Sequence, residues 1–122
     1  MLGEEIVAAA DEIERTRRIP AEFLAHIHEA RLCRMLLPRA FGGDEVEPGT
    51  YLLTIEAVAR ADASIAWNLF VANSAALIAP HLESETARTI FAPANALVAW
   101  GPPNATVARA VATPLGLRQW MP

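Results

Sequence analysis

DASIAWNLFVANSAALIAPH, residues 62–81, is the stretch whose reading decides the fold. It is too apolar to face water on every side, yet it carries Ser64, Asn68, Asn73 and Ser74. At about 100° per residue it separates into two unlike faces. Ser64, Asn68, Ala72, Ala75 and Ala79 form a ridge of small side chains, where another backbone can come close. Trp67, Phe70, Leu77 and Ile78 form the opposite, bulky face, with Ser74 among them and Asn73 at its edge. A helix apolar all round belongs in the middle of a bundle. The expectation is a central helix of an all-helical domain, its bulky face filling the core or walling a cavity. Asp62 or Ser64 can cap it, and Pro80 ends it.

A membrane span is the competing reading of so apolar a run. Ala66–Pro80 is 15 residues, short of the roughly 20 needed to cross a bilayer. It also contains Asn68 and Asn73, each costly in hydrocarbon. The expectation is a buried helix, with no membrane partner.

The rest of the composition sets the frame. A chain of 122 residues has room for one domain with a real core. At 53% hydrophobic and 20% charged it is not a disordered composition. A net charge of −4 and the lack of a basic stripe argue against a nucleic-acid partner. The single Cys33 has no internal disulfide partner and suits a reducing compartment. MLGEEIVAAADE places acids where an export signal needs lysine or arginine. A cytoplasmic protein is expected.

Outward from the central stretch, residues 3–18 read as a first helix, with Ile6, Ala9, Ala10 and Ile13 inward. Asp11–Arg15 and Glu14–Arg18 are spaced as i,i+4 pairs on its wet side. Pro20 opens a second helix that turns Phe23, Leu24, Ile27 and Ala30 inward. CRMLLPRAFGGDEVEPG (33–49) is a long irregular connection, expected to cross the helices in extended form. Pro48 opens a third helix to about Ala61, with Leu52, Ile55, Val58 and Ala59 inward and Glu56–Arg60 paired outside. Ser84 is the expected cap of a short helix, ETARTIFA (85–92). At Ala96 the character changes: ALVAW (96–100) is a short β-type run and TVARAV (106–111) alternates weakly. TPLGLRQWMP (113–122) shows no period and no evident partner. The expected division is a helical domain over 1–95 and the loosely ordered start of a β domain over 96–122, incomplete because one or two strands make no stable sheet.

Candidate chemistry is sparse. His26 and His28 are two apart on a helix and point to nearly opposite sides, and no HExxH spacing exists. There is no phosphate-binding glycine loop, and Gly42-Gly43 reads as a turn. Cys33 reads as core rather than nucleophile. Two constellations remain. Trp67, Asn68, Phe70, Asn73 and Ser74 read either as a packed core with hydrogen-bonded amides, which the pattern alone favours, or as the wall of a pocket for a planar ligand. ALVAWGPPN (96–104) reads either as a domain boundary or as a strand and turn whose backbone can approach a flat cofactor at Gly101.

In order, these elements resemble the N-terminal helical domain of the acyl-CoA dehydrogenase superfamily. LLPRAFGGDEV (36–46), EAVARADASIAW (56–67), ESETARTIFA (83–92) and ALVAW carry the likeness, which spans roughly residues 4–112. The resemblance implies a mainly α fold, an acyl-CoA dehydrogenase-like N-terminal helical domain followed by a short, incomplete β stub. It implies a flavin-dependent oxidoreductase, with FAD or FMN held largely by domains beyond this chain, and a homotetramer. Residues 62–81 would supply substrate wall through Trp67, Asn68, Phe70, Asn73 and Ser74, and Trp100 and Gly101 would touch flavin. No catalytic residue is expected here, so the chain alone should not turn over. WGPPNATV (100–107) stands where dehydrogenases of the family carry a threonine- and serine-containing flavin contact. That run and AWNLFVAN (66–73) look more like the branch that hydroxylates aromatic or sulfur compounds with reduced flavin and oxygen. The expected substrate is accordingly an aromatic molecule, the alternative an acyl thioester oxidised at a CH–CH bond. The rival from another class is a non-catalytic helical interaction module.

Overall fold

A computed structural model describes residues 2–100, 109–113 and 116–120. Five α-helices follow in order: α1 Leu2–Thr16, α2 Ala21–Glu29, α3 Pro48–Ala61, α4 Ala63–Ala76 and α5 Ser84–Phe91. Single 3-10 turns lie at Leu32–Arg34, Arg39–Phe41 and Ala79–His81. Strands β1 (Arg109–Thr113) and β2 (Gly116–Trp120) pair antiparallel, with Arg109 opposite Trp120 and Thr113 opposite Gly116. The described residues are therefore mainly α with a two-stranded hairpin, in keeping with the expected fold class.

Local chemistry explains where the helices begin and stop. α1 ends when Arg17 takes φ 56°, a left-handed turn. The Glu14–Arg18 pair consequently has no common helix to form on. Pro48 stands in the first turn of α3, where its missing N–H costs nothing. Asp62 does two jobs in one extended residue: it terminates α3 and caps α4. Its carboxylate accepts from the Ser64 hydroxyl at 2.5 Å and from the Ile65 N–H at 2.9 Å. Those bonds, the Ser64 one foremost, hold the Asp62 carboxyl below its usual range. α5 is capped by Glu83, not Ser84: the Glu83 carboxylate reaches the N–H groups of Glu85 and Thr86. A longer acid one residue earlier satisfies two of the free N–H groups at the start of the helix.

Two apolar clusters meet along α4. Ile6, Phe23, Ile27, Val58, Ile65 and Leu69 belong to the first, which joins α1, α2 and α3 to the N-terminal half of α4. The second gathers Leu37, Ala76, Ala79 and Phe91 at the other end. On α3 the inward residues are Tyr51, Ile55 and Val58, whereas Leu52 and Ala59 are exposed. The expected face was thus rotated, with Tyr51 taking the position assigned to Leu52. On α2, Phe23 and Ile27 are buried, but Ala30, just past the end of the helix, is exposed.

Of the two places expected for the bulky face of α4, the core is excluded. Trp67, Phe70, Leu77 and Ile78 are exposed, from 37% for Phe70 to 62% for Trp67. Ala72, Ala75, Ala76 and Ala79 are buried, together with Ile65, Ala66 and Leu69. Small residues let α4 approach its neighbours closely, so packing favours turning that side in and leaving the rings out. Ser64 and Asn68, at the head of the small ridge, remain exposed. By length and composition alone Ala63–His81 would pass as a membrane span, with 44% of its most apolar window buried inside the domain.

The connection after α2 does not run extended. It makes two 3-10 turns and folds back on itself, with Glu45 N–H donating to Leu37 O and Val46 N–H to Met35 O. The return demands a glycine: a Cβ on Gly43 would lie 1.8 Å from the Leu37 carbonyl oxygen. Arg34, only 4% exposed, holds this fold from inside. Its guanidinium donates to the carbonyls of Phe41 and Gly42 in the loop, and of Phe91 (2.7 Å) and Pro93 (2.8 Å) at the end of α5. A cation there also meets the negative end of the α5 dipole. Outside it, Arg31 bonds Asp44 and the Gly42 carbonyl.

ALVAW is not a strand. Residues 96–100 run without a ladder partner, and the described strands lie later, in segments whose sequence carries little alternation. GLRQW (116–120), read as part of an unpartnered tail, is β2 of the hairpin. Thr113 pairs with Gly116 only three positions on in the sequence, so the pairing is local, which period alone could not reveal.

Three outcomes follow from this packing. Arg34→Met should lower stability by about 2 kcal/mol or more, because buried carbonyls lose a charged donor. Arg60→Met, which removes only the exposed Glu56–Arg60 pair at 2.6 Å, should cost no more than about 0.5 kcal/mol; urea midpoints of both variants check the ranking. Ala79→Leu, at a fully buried position, should cost about 1–3 kcal/mol by overpacking, read in the same titration. His26 Nδ1 lies 2.6 Å from Glu5 Oε2 and ties α2 to α1. The hydrogen bond to Glu5 first, then its charge, raises the His26 pKa above 6.5. That stabilisation is therefore present below pH 6.5 and is lost as pH rises through the folded-state value. Melting temperature should fall over that rise in wild type and less so in His26→Gln.

Candidate functional site

α4 carries the expected site residues, and the structure divides them among three environments. Trp67 and Phe70 stand one turn apart on the outer face, ring centroids 5.5 Å apart and tilted by 35°. Ser74 follows on the same face, its hydroxyl donating to the Val71 carbonyl at 3.1 Å. Trp100 closes over it, donating its indole N–H to Ser74 Oγ at 2.9 Å. Trp67, Phe70, Ser74 and Trp100 thus share one face, continued by the exposed Leu77 and Ile78. Gly101, the other expected cofactor contact, lies outside the described residues.

Asn73 belongs elsewhere. It is 0% exposed, and its amide donates to the carbonyls of Leu69 (2.9 Å) and Leu32 (2.8 Å) and accepts from the Leu36 N–H (3.0 Å). Both donors are spent on protein groups. Asn73 is a clamp between α4 and the turn after α2, and its place in a pocket wall is withdrawn. Asn68 lies toward the small side of the helix and donates to the Ser64 carbonyl at 2.8 Å.

The cavity of the domain borders the small ridge rather than the rings. Leu97, Val98 and Ala99 face Asn68, Leu69 and Ala72 of α4 across it. Its volume is about 100 Å³, and it is lined by Leu24, Ile27, Ile65, Leu69, Ala72 and Leu97 among others. It adjoins an open groove of about 760 Å³ at the ends of α1 and α4, where Arg17, Arg18, Glu14, Asp62 and Asn68 gather. Cys33 also lines the cavity, and burial pushes its thiol up to about 11, so it is an uncharged apolar group there. Sequence reasoning missed this cavity and also missed Arg34. The one signal for the cavity was the ridge itself, read as a seat for another backbone but not traced to residues 97–99.

Among the described residues no three His, Cys, Asp or Glu side chains come together as a metal site would require. Among the described residues, the buried groups without a partner are His28 Nδ1 and the Tyr51 hydroxyl, neither of which lines these two cavities. Nothing in the described geometry supplies a nucleophile poised beside a base.

The family model described as acyl-CoA dehydrogenase, N-terminal domain, matches residues 1–92. No curated protein matches the chain. The family model covers α1 to α5, including the Arg34-bound loop and the two-sided α4. On that match, over three quarters of its length, the chain belongs to the acyl-CoA dehydrogenase family, of which it carries the N-terminal domain.

Proposed function

We propose that this chain supplies the helical N-terminal domain, over residues 1–95, of a flavin-dependent oxidoreductase. In this reading the outer face of α4 borders the space shared by substrate and flavin, and parts of the protein outside this chain complete it. The observation that carries the reading is the exposed stripe of Trp67, Phe70, Leu77 and Ile78, extended by Trp100. Rings and branched chains lined along one face are costly in water unless something covers them. Residues 96–122 would begin the β domain that follows.

The residues present fit one side of a flavin and no more. Trp67, Phe70 and Trp100 offer flat apolar surface, but the Trp100 N–H is already taken by Ser74. Among the described residues, this face presents no unpaired cation for a phosphate. A bound flavin would supply the electron transfer, as cofactors do. The chain's own work would be to position a planar substrate against that surface and to keep water out. Ser74 would act by holding Trp100, and Trp67 and Phe70 by direct contact.

Within this class we favour a reduced-flavin monooxygenase acting on an aromatic compound over a dehydrogenase acting on acyl thioesters. WGPPNATV in place of the dehydrogenases' threonine- and serine-containing stretch supports that choice, as do the exposed rings of α4. A homotetrameric, cytoplasmic whole protein is part of the same proposal. The rival reading is a helical module whose exposed stripe meets a protein partner.

Titrating the chain with FAD and FMN should quench tryptophan emission saturably and raise the melting temperature. Trp67→Ala with Phe70→Ala, at exposed positions, should remove the effect without unfolding the domain, and Leu52→Ala should leave it intact. A change that is absent up to about 1 mM flavin, or that survives Trp67→Ala with Phe70→Ala, overturns direct contact between flavin and the outer face of α4.

A further inference from the structure

On the side of α4 away from its aromatic stripe, the cavity under Leu97–Ala99 has the features of a ligand site in its own right. Its wall is almost wholly apolar, and its mouth at Asn68 and Leu97 is shared with the wide groove. At about 100 Å³ it is smaller than the ~150 Å³ apolar cavity that admits benzene. It therefore suits a short branched chain better than a ring.

The polar groups lie at the mouth, not inside. Asn68 uses one N–H on Ser64 O and keeps the rest of its amide without a protein partner. Arg17 and Arg18 line the groove beyond it, and neither guanidinium has a carboxylate within salt-bridge distance among the described residues. Two acids share the groove. Asp62 is already engaged by Ser64 and Ile65, while Glu14 is unpaired and offsets part of the positive charge. The roof is anchored from the far side, because Trp100 next to Ala99 is bonded to Ser74.

We infer that this cavity and its mouth bind a small branched-chain carboxylate, the apolar end under Leu97–Ala99 and the carboxylate toward Asn68, Arg17 and Arg18. The site is separate from the face assigned to flavin, so either can fail alone. An apolar body with a few convergent polar groups at one end is the usual form of a small-molecule pocket. The alternative is a dry void left between helices and strap.

The probe is isovalerate, compared with the neutral isovaleramide and the cationic isoamylamine, in thermal-shift and calorimetric titrations of the intact chain. Isovalerate should bind saturably and raise the melting temperature, the amide about tenfold more weakly, and the amine not at all. Leu97→Trp, at a position exposed enough to accept the change, should fill the cavity and abolish binding. Arg17→Ala with Arg18→Ala should erase the preference for the acid over the amide while the amide still binds. No saturable isovalerate binding, or binding that survives Leu97→Trp, overturns the site and leaves a void only. Equal binding of acid and amide by the wild-type chain overturns the carboxylate assignment.

Discussion

The domain depends on satisfying irregular backbone inside a helical core. Between α2 and α3 the chain makes 3-10 turns and doubles back against α4, where water cannot serve its N–H and C=O groups. Buried backbone polar groups must find partners. Here two side chains provide many of them. Asn73 reaches from α4 to Leu32 and Leu36, and Arg34 reaches from the turn to the loop at Phe41–Gly42 and the end of α5. The pair couples the first apolar cluster to the second, because one fixes the turn on α4 and the other carries α5 with it. Gly43 completes the arrangement by letting the returning backbone touch Leu37.

This constraint explains why α4 is two-sided in an unexpected sense. The connection needs close approach to the helix, and alanine is the side chain that grants it. Once the alanines face inward, the rings of Trp67 and Phe70 must face out. A solvent-facing row of large apolar groups is then what a domain with a further contact to make would present. The same geometry leaves a cavity beside Ala72 on the other flank. Both features relevant to function thus come from one choice of helix orientation.

Chemistry in this domain is positional rather than reactive. Cys33 is buried and held as a thiol, the histidines are dispersed, and the acids with lowered pKa values, Asp62 and Glu83, are occupied as helix caps.

The existence of five helices, the role of Pro48 and Asp62 at helix starts, and the identity of the central segment were legible in the sequence. Periodicity and caps are local, and local signals suffice for these features. The family was legible too, through the order of elements. The alanine ridge as the close-packed side was legible as well, but not that the rings stay out of the core, since a segment apolar all round has almost no preferred face. Nor could spacing show that Asn73 is a clamp, that Arg34 is buried under four carbonyls, or that ALVAW runs as a strap while GLRQW pairs as a strand. Each of those turns on what distant segments bring within hydrogen-bonding range. Sequence by itself determined that the helices exist and that Pro48 and Asp62 begin two of them; only tertiary packing decided how far each runs and which way it faces, because closeness of approach is a property of two surfaces and not of one.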